Sequence, residues 1–185
     1  KRGFFPAGQG KVIFEIEPSK KINQVDILER GDYVRTDVFS IASNSLKDKN
    51  VVERMIEGFK KKYVKDKIGF VIDKYVDSSS PGCVFHSHAH FSNTLIGSEV
   101  LGEIGKKSED IGKEVAINLK KELDSGACVD SRIADQLMIY MGLSGKSKIK
   151  ISEITDHINT NAKVIEKFLD VKFDIKGNVI ECNKI

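Results

Sequence analysis

What this 185-residue sequence lacks narrows it first. No stretch approaches the roughly 20 apolar residues that a membrane-crossing helix needs, so no membrane partner is expected. Its first residues do not form the basic and then apolar regions of a secretory leader. The cysteines are only three, Cys83, Cys128 and Cys182, and no two share a C-x-x-C spacing. That pattern leads to the expectation of reduced thiols in an intracellular, cytoplasmic protein. Neither sign of charge dominates: 30 Lys and Arg stand against 27 Asp and Glu, interleaved almost everywhere, for a net +3. Such a balance permits an RNA partner without arguing for one.

What is present is ordinary globular material, 40% hydrophobic and 31% charged. That is enough for a core, and the length suggests one or two domains. The sequence begins at Lys1 and runs straight into a motif, so a fragment of a longer chain is expected.

Pro6 and the glycines of residues 3–10 mark a loop. Lys11 to Glu17 then alternates, with Val12, Phe14 and Ile16 on one side, which predicts a half-buried strand ended by Pro18. Residues 34–43 read as a second strand. Asn50 and Glu53 have capping-box spacing before Val52, Met55, Ile56, Phe59 and Tyr63, so 50–64 reads as an amphipathic helix with Lys60, Lys61 and Lys62 on its solvated face. Strands follow at 68–76 and 83–91, joined through Ser78–Gly82. A helix starting at Ser108 carries Ile111, Val115, Leu119 and Leu123, and Gly126 stops it.

Further on, Asp130 or Ser131 caps a helix to about Leu143, a strand runs from Lys148 to Ile154, and a helix runs from about Thr160 to Leu169. A hairpin joins 171–175 to 179–184 through Lys176-Gly-Asn178. Setting aside residues 29 to 124 leaves strand, helix, strand, helix, strand, strand. The simplest architecture is therefore α+β: a β-α-β-α-β-β unit made of 1–28 and 125–185, with a second module, 29–124, inserted after its first strand.

Three groups of residues could carry chemistry. His86, His88 and His90 alternate on a strand and share a face, but successive ones lie about 7 Å apart along it and have no nearby acidic partner in sequence. They read as a strand face sooner than as a metal site. Gly142-Leu-Ser-Gly-Lys-Ser147 has the end of a phosphate-binding loop, but Tyr140 stands where its first Gly belongs and the segment runs from helix to strand. It reads as a helix stop. The third group joins Asp135 and Gln136, early in an apolar helix, to His157, read at the end of a strand just before a helix. An imidazole is a nucleophile and a helix start stabilises anionic oxygens, so these residues suit phosphate chemistry. Taken alone, a lone His near a cap is more often structural.

The motifs themselves add to this. Arg2-Gly-Phe-Phe-Pro-Ala-Gly-Gln-Gly10 resembles the Arg-Gly-aromatic-aromatic-Pro-x-Gly-Gly-Gly signature of RNA 3'-terminal phosphate cyclases. Gly102-Glu-Ile-Gly-Lys106 is similar to their Gly-Glu-x-Gly-Lys turn, and Ala134-Asp-Gln-Leu137 to their Ala-Asp-Gln-Leu helix. His157-Ile-Asn-Thr-Asn161, with Val164–Leu169 and Val171–Phe173 after it, resembles their His-x-x-Thr-Asn segment. The motifs keep the family's order and span the chain.

The resemblance implies repeated β-α-β-α-β-β units with a thioredoxin-like insert, and an upstream half of the same protein as a partner. It implies ATP as cofactor, Mg²⁺ or Mn²⁺ beside its phosphates, and RNA with a 3'-phosphate end as substrate. The implied product is a 2',3'-cyclic phosphate, reached through enzyme-histidyl-AMP and RNA-3'pp5'A. By the same resemblance His157 is the nucleophile, and Asp135 and Gln136 lie beside the nucleotide. Thr160 and Asn161 shape the turn that presents His157. Two positions depart from the pattern: Gln9 replaces the middle Gly, and Arg132 stands where some members carry an aromatic that stacks on adenine, a role a guanidinium can also fill. The competing readings are a catalytically inactive cyclase-like scaffold in ribosome maturation, which the presence of His157 opposes, and an unrelated metal- or RNA-binding module built on His86, His88 and His90.

Overall fold

The computed structural model describes residues 1–63 and 68–185. In chain order its elements are β1 (Asp26–Ile27), β2 (Tyr33–Ser43), a 3-10 helix (Asn44–Lys49), α1 (Val51–Lys62), β3 (Ile68–Val76), β4 (Cys83–Phe91) and β5 (Leu95–Leu101). There follow α2 (Ser108–Asp124), α3 (Ser131–Ser144), β6 (Lys146–Lys150), α4 (Asp156–Phe168), β7 (Val171–Lys176) and β8 (Val179–Lys184). The described residues form a mixed α+β structure with two four-stranded sheets. It divides into two compact units: residues 1–16, 34–90 and 97–121 form the first, and 17–33, 91–96 and 122–185 the second.

The first unit is built on the sheet β3-β2-β4-β5, with β2 and β3 parallel. Alternation along β2 and β4 sends Val38 and Ala42, and Phe85 and Ala89, to one side, where they are at most 1% exposed. Helices α1 and α2 cover that side with Val52, Met55 and Phe59, and with Ile111, Val115 and Leu119. The two helices touch backbone to backbone. A Cβ at Gly58 would lie 2.0 Å from the carbonyl oxygen of Glu109, and one at Gly112 would lie 1.9 Å from that of Met55. Arg54 locks the crossing with a two-pronged pair to Glu109, both bonds 2.8 Å, and this guanidinium holds the Glu109 carboxyl down at about 2.

The expected capping box of α1 does not form. Asn50 adopts a left-handed conformation (φ 51°) and its side chain makes no cap bond. The Tyr75 hydroxyl from β3 replaces it, accepting from the Val52 N–H at 3.1 Å and donating to Glu53 at 2.7 Å. A tertiary partner that satisfies both groups displaces the local one. Val64, the expected last residue of this helix, lies outside the described residues.

The second unit reads β1, α3, β6, α4, β7, β8 along the chain, and its sheet has the order β1-β6-β8-β7. β1 is parallel to β6, while β6 and β7 are both antiparallel to β8. One side of this sheet presents Ile149, Phe173, Ile180 and Cys182 to Ala134, Met138 and Met141 of α3 and Ile158, Ala162 and Ile165 of α4. Each large side chain buried there is worth about 1.5–3 kcal/mol. Burial pushes the Cys182 thiol up to about 11, and all three cysteines are free and buried. The other side of the sheet is polar, with Lys148 paired to Glu181 at 3.0 Å.

The first strand differs from expectation. Lys11 to Glu17 forms no strand; Val12, Phe14 and Ile16 are 72%, 81% and 85% exposed. Alternation prepares a segment for a ladder, but a ladder needs a neighbour, and among the described residues none pairs with it. The place falls to Asp26–Ile27, in register with Lys148 and Ile149. β6 also begins and ends earlier than 148–154, because Gly145 (φ 70°) ends α3 in the left-handed conformation and the strand starts at once. Gly142–Ser147 is thus a helix stop, as its composition suggests.

Candidate active site

Two helix starts meet at one edge of the second unit's sheet. The N–H groups of Cys128 and Val129, which lead into α3, both bond the carbonyl of Lys150 at the carboxyl end of β6 (2.8 and 3.3 Å). α4 begins six residues after that same end. Because β1 runs parallel to β6, its carboxyl end lies at the same edge, where Asp26, Ile27, Leu28, Glu29 and Asn93 line a cleft. Crevices beyond the carboxyl ends of parallel strands are where such sheets commonly bind ligands.

Each helix start is fixed locally. Asp130 caps α3 by accepting from the Ile133 N–H at 3.0 Å. Glu122 holds Ser131 through both its N–H and its hydroxyl, at 3.3 and 2.9 Å. Thr155 caps α4 by accepting from the Ile158 N–H at 3.3 Å. This cap corrects the expected placement of His157. The residue lies in the first turn of α4, not at the end of a strand, since the helix starts at Asp156 rather than near Thr160. The imidazole is exposed, beside the first N–H groups of the helix, which have no carbonyl partner within it. Such groups favour bound anionic oxygens.

Asn161 is one turn further along α4, on the same side as His157. Its Nδ2 donates to Oδ1 of Asp135 on α3 at 2.6 Å. The structure therefore brings Asp135 of α3 to Asn161, which shares a side of α4 with His157. Asn161 belongs to the helix body and bridges the two helices, whereas the family resemblance implies a turn-shaping role for it. Gln136 and Arg132 are exposed on α3. Among the described residues, no hydrogen bond or ion pair joins His157 to Asp135 or Gln136. The Glu122 clamp on α3 was not legible in sequence, since it closes a loop of nine residues.

A family model described as RNA 3'-terminal phosphate cyclase matches residues 1–175. The chain belongs to the RNA 3'-terminal phosphate cyclase family. The cyclase of Pyrococcus abyssi is 32% identical over 186 residues, covering 100% of this chain and 54% of its own length. Those of Pyrobaculum aerophilum and Pyrobaculum neutrophilum are 35% and 32% identical over 179 and 183 residues, covering 94% and 95% of this chain. They are covered over 50% and 51% of their own lengths. The chain spans about half the length of the curated relatives it matches.

The residues that resemble the cyclase signature form an anchored turn in the first unit. The Gly8 N–H bonds the Phe4 carbonyl at 2.8 Å, and the Ala7 N–H bonds the Ser80 hydroxyl at 3.0 Å. Gln9, standing where the cyclase pattern has Gly, takes a positive φ of 57° and accepts from the Ser79 hydroxyl at 2.8 Å. The turn keeps the conformation a Gly would favour, with a side-chain bond to offset the steric cost. His86, His88 and His90 lie on the sheet of this same unit. The rings of His86 and His88 stack on one another with centroids 4.9 Å apart, while His90 Nε2 sits 2.8 Å from Asp37 Oδ2. Among the described residues, no three His, Cys, Asp or Glu side chains are grouped to hold a metal.

Proposed function

We propose that this chain carries the nucleotidyl-accepting residue of an enzyme that converts an RNA 3'-terminal phosphate to a 2',3'-cyclic phosphate at the expense of ATP. The observation that supports it best is the exposed His157 in the first turn of α4, with the Asp135 carboxylate held on the same side by Asn161.

In the proposed sequence, an imidazole nitrogen of His157 attacks the α-phosphorus of ATP and pyrophosphate leaves. The helix start receives the anionic oxygens. An oxygen of the RNA 3'-phosphate then attacks the phosphorus of the histidyl-AMP, the P–N bond breaks and the imidazole is regained. Finally the 2'-hydroxyl attacks the activated 3'-phosphorus, loses its proton and expels AMP. The last step has the large effective molarity of an intramolecular reaction. Asp135 contacts the ribose or the metal, Gln136 borders the nucleotide, and the Arg132 guanidinium stacks on the adenine.

Asp156, next to His157 in sequence, and Asp135, bonded to Asn161, are oxygen donors of the kind Mg²⁺ and Mn²⁺ take; either would hold a divalent cation bound mainly by substrate phosphates, since Mg²⁺ commonly uses one or two carboxylates with them. When bound, such an ion would neutralise phosphate charge. The proposal extends to a division of the chain into a catalytic unit, 1–28 and 125–185, and a thioredoxin-like insert, 29–124. It extends also to an intracellular setting and to completion of the nucleotide site by the upstream half of the protein.

The test is to incubate the full-length protein with α-labelled ATP. Label should be retained on the peptide containing His157 and be absent from His157→Ala; label retained by that variant would overturn the assignment.

A further inference from the structure

The first unit carries α1 and α2 on one side of its sheet, and the other side holds a run of planar side chains. Phe39 of β2 packs against His86 and His88 of β4, ring centroids 4.4 and 5.5 Å away, and these two imidazoles stack on one another. Along β2, Arg35 lies over the Phe70 ring of β3 at 5.3 Å and bonds Asp37 at 3.0 Å. His90 closes on the same carboxylate. Phe70 is 63% exposed, the Arg35 side chain 38%, and His86 and His88 are half-buried. Residues 35 to 39 span about 13 Å of strand, room for two or three stacked bases.

The charged groups around these rings are Arg35, Asp37, Glu99 and Arg2. Burial would raise the Asp37 carboxyl, but the bonds from Arg35 and the Phe70 N–H, with His90 nearby, hold it below its usual value. Its negative charge is therefore already matched. Burial, and the neighbouring His88, bring the His86 imidazole down to about 4, so it is a flat neutral ring at neutral pH; Glu99 and Arg2 are the other charges it meets. The Nε2 of His86 is buried with no hydrogen-bond partner among the described residues. Over the whole unit 18 Lys and Arg stand against 13 Asp and Glu, whereas the second unit has 12 against 14. The net positive charge of the molecule is thus concentrated in the unit bearing these rings.

We propose that this sheet face binds a short stretch of single-stranded RNA, two or three bases stacking on Phe70, Phe39 and His88 while Arg35 and Arg2 meet the backbone phosphates. Sequence-tolerant stacking on exposed aromatic side chains beside cations is a general mode of holding unpaired strands. A duplex keeps its bases stacked inside and offers no ring to this surface. The inference shares with the proposed activity only the chemical class of the ligand, and it does not require His157 to react.

The probe is a fluorescent 12-nucleotide single-stranded RNA of mixed sequence with a 3'-hydroxyl end, which cannot enter the cyclisation reaction, titrated with the full-length protein. Phe70→Ala and His88→Ala should each weaken binding about tenfold, and Phe70→Trp should restore it. Phe70 is mostly exposed, so its removal should leave the melting curve unchanged. Lys60→Gln with Lys61→Gln and Lys62→Gln, on the exposed side of α1, should change affinity less than threefold. A 4-thiouridine version should crosslink to the peptides of β2, β3 or β4. Unchanged affinity in both Phe70→Ala and His88→Ala overturns the proposal. So does binding of the duplex, or of polyglutamate, as tightly as the single strand, because the face would then read charge rather than bases. Loss of AMP transfer to His157 with RNA binding intact would count against the enzymatic reading alone.

Discussion

Asn161 donates a 2.6 Å hydrogen bond to the Asp135 carboxylate and so joins the middle of α4 to the early part of α3. A bond to a charged acceptor contributes about 1.5–3 kcal/mol when well made. Asn161→Ala should therefore free the Asp135 side chain and slow AMP loading of the full-length protein about tenfold. Asn161→Asp sets two carboxylates within bonding distance and should slow it more. Loading by both variants at the parent's rate, measured with labelled ATP, would show that the bridge does not position Asp135.

For His157 the expectation concerns the bond formed. A phosphoramidate should be labile in acid and stable in base, whereas an acyl phosphate on Asp135 would be cleaved in base. His157→Ala should remove adenylylation and cyclisation together while leaving urea unfolding unchanged, since the imidazole is exposed and is not buried in the core. Peptide mapping of the trapped adduct decides between the two residues.

His86 sets a pH dependence whose sign follows from burial. Its folded-state value is about 4, below the ordinary 6.5. Between those two values the unfolded chain takes up a proton that the folded chain refuses, so stability is full above about 6.5 and falls as the pH drops towards 4. His88, Glu99 and Arg2 face this ring and act on it in the folded state. His86→Phe should flatten the fall, seen as a smaller difference between urea midpoints at pH 7 and pH 5. An unaltered difference would assign the pH dependence to another group.

The crossing of α1 and α2 predicts an inversion of a common rule. Gly→Ala inside a helix ordinarily gains up to about 1 kcal/mol. At Gly58 and Gly112 the new Cβ would meet the backbone carbonyls of Glu109 and Met55, which cannot rotate away. Each substitution should cost about 1–3 kcal/mol or more in denaturant unfolding. Gly142→Ala should be milder, because its Cβ meets the side chains of Ile165 and Leu169, at 2.7 and 3.2 Å, which can shift.

The long periodic elements were legible. β3 and β4 fall at the expected residues, and α3 is capped by Asp130, one of the two expected candidates, because each is encoded by its own alternation or capping chemistry. What escaped has physical causes. β1 is two residues long and shows no period; β5, Leu95–Leu101, contains Gly97, Ser98 and Glu99, which break its apolar pattern. α4 starts at Asp156 and not near Thr160, because the cap, Thr155, follows directly on the expected strand end at Ile154 and the first turn shows no apolar period. Of the proposed site, His157, Asp135 and Gln136 stand out in the sequence by type and motif. The link through Asn161 does not, because it depends on which sides of two helices, 26 residues apart in sequence, come together.

The pairing of β1 with β6 has a consequence for synthesis. Asp26 and Ile27 emerge from the ribosome long before their ladder partners, Lys148 and Ile149. Val25 likewise waits for the hydroxyl of Ser147, 122 residues later. The sheet, helices and crossing of the first unit lie wholly within the chain made in between. Translation at about 5–20 residues per second leaves the segment around β1 unpaired for several seconds while that interval is made. The unit that carries His157 must therefore close after the other has been completed, and a mutation that delays folding of the interval would hold open the nascent first strand rather than the finished site.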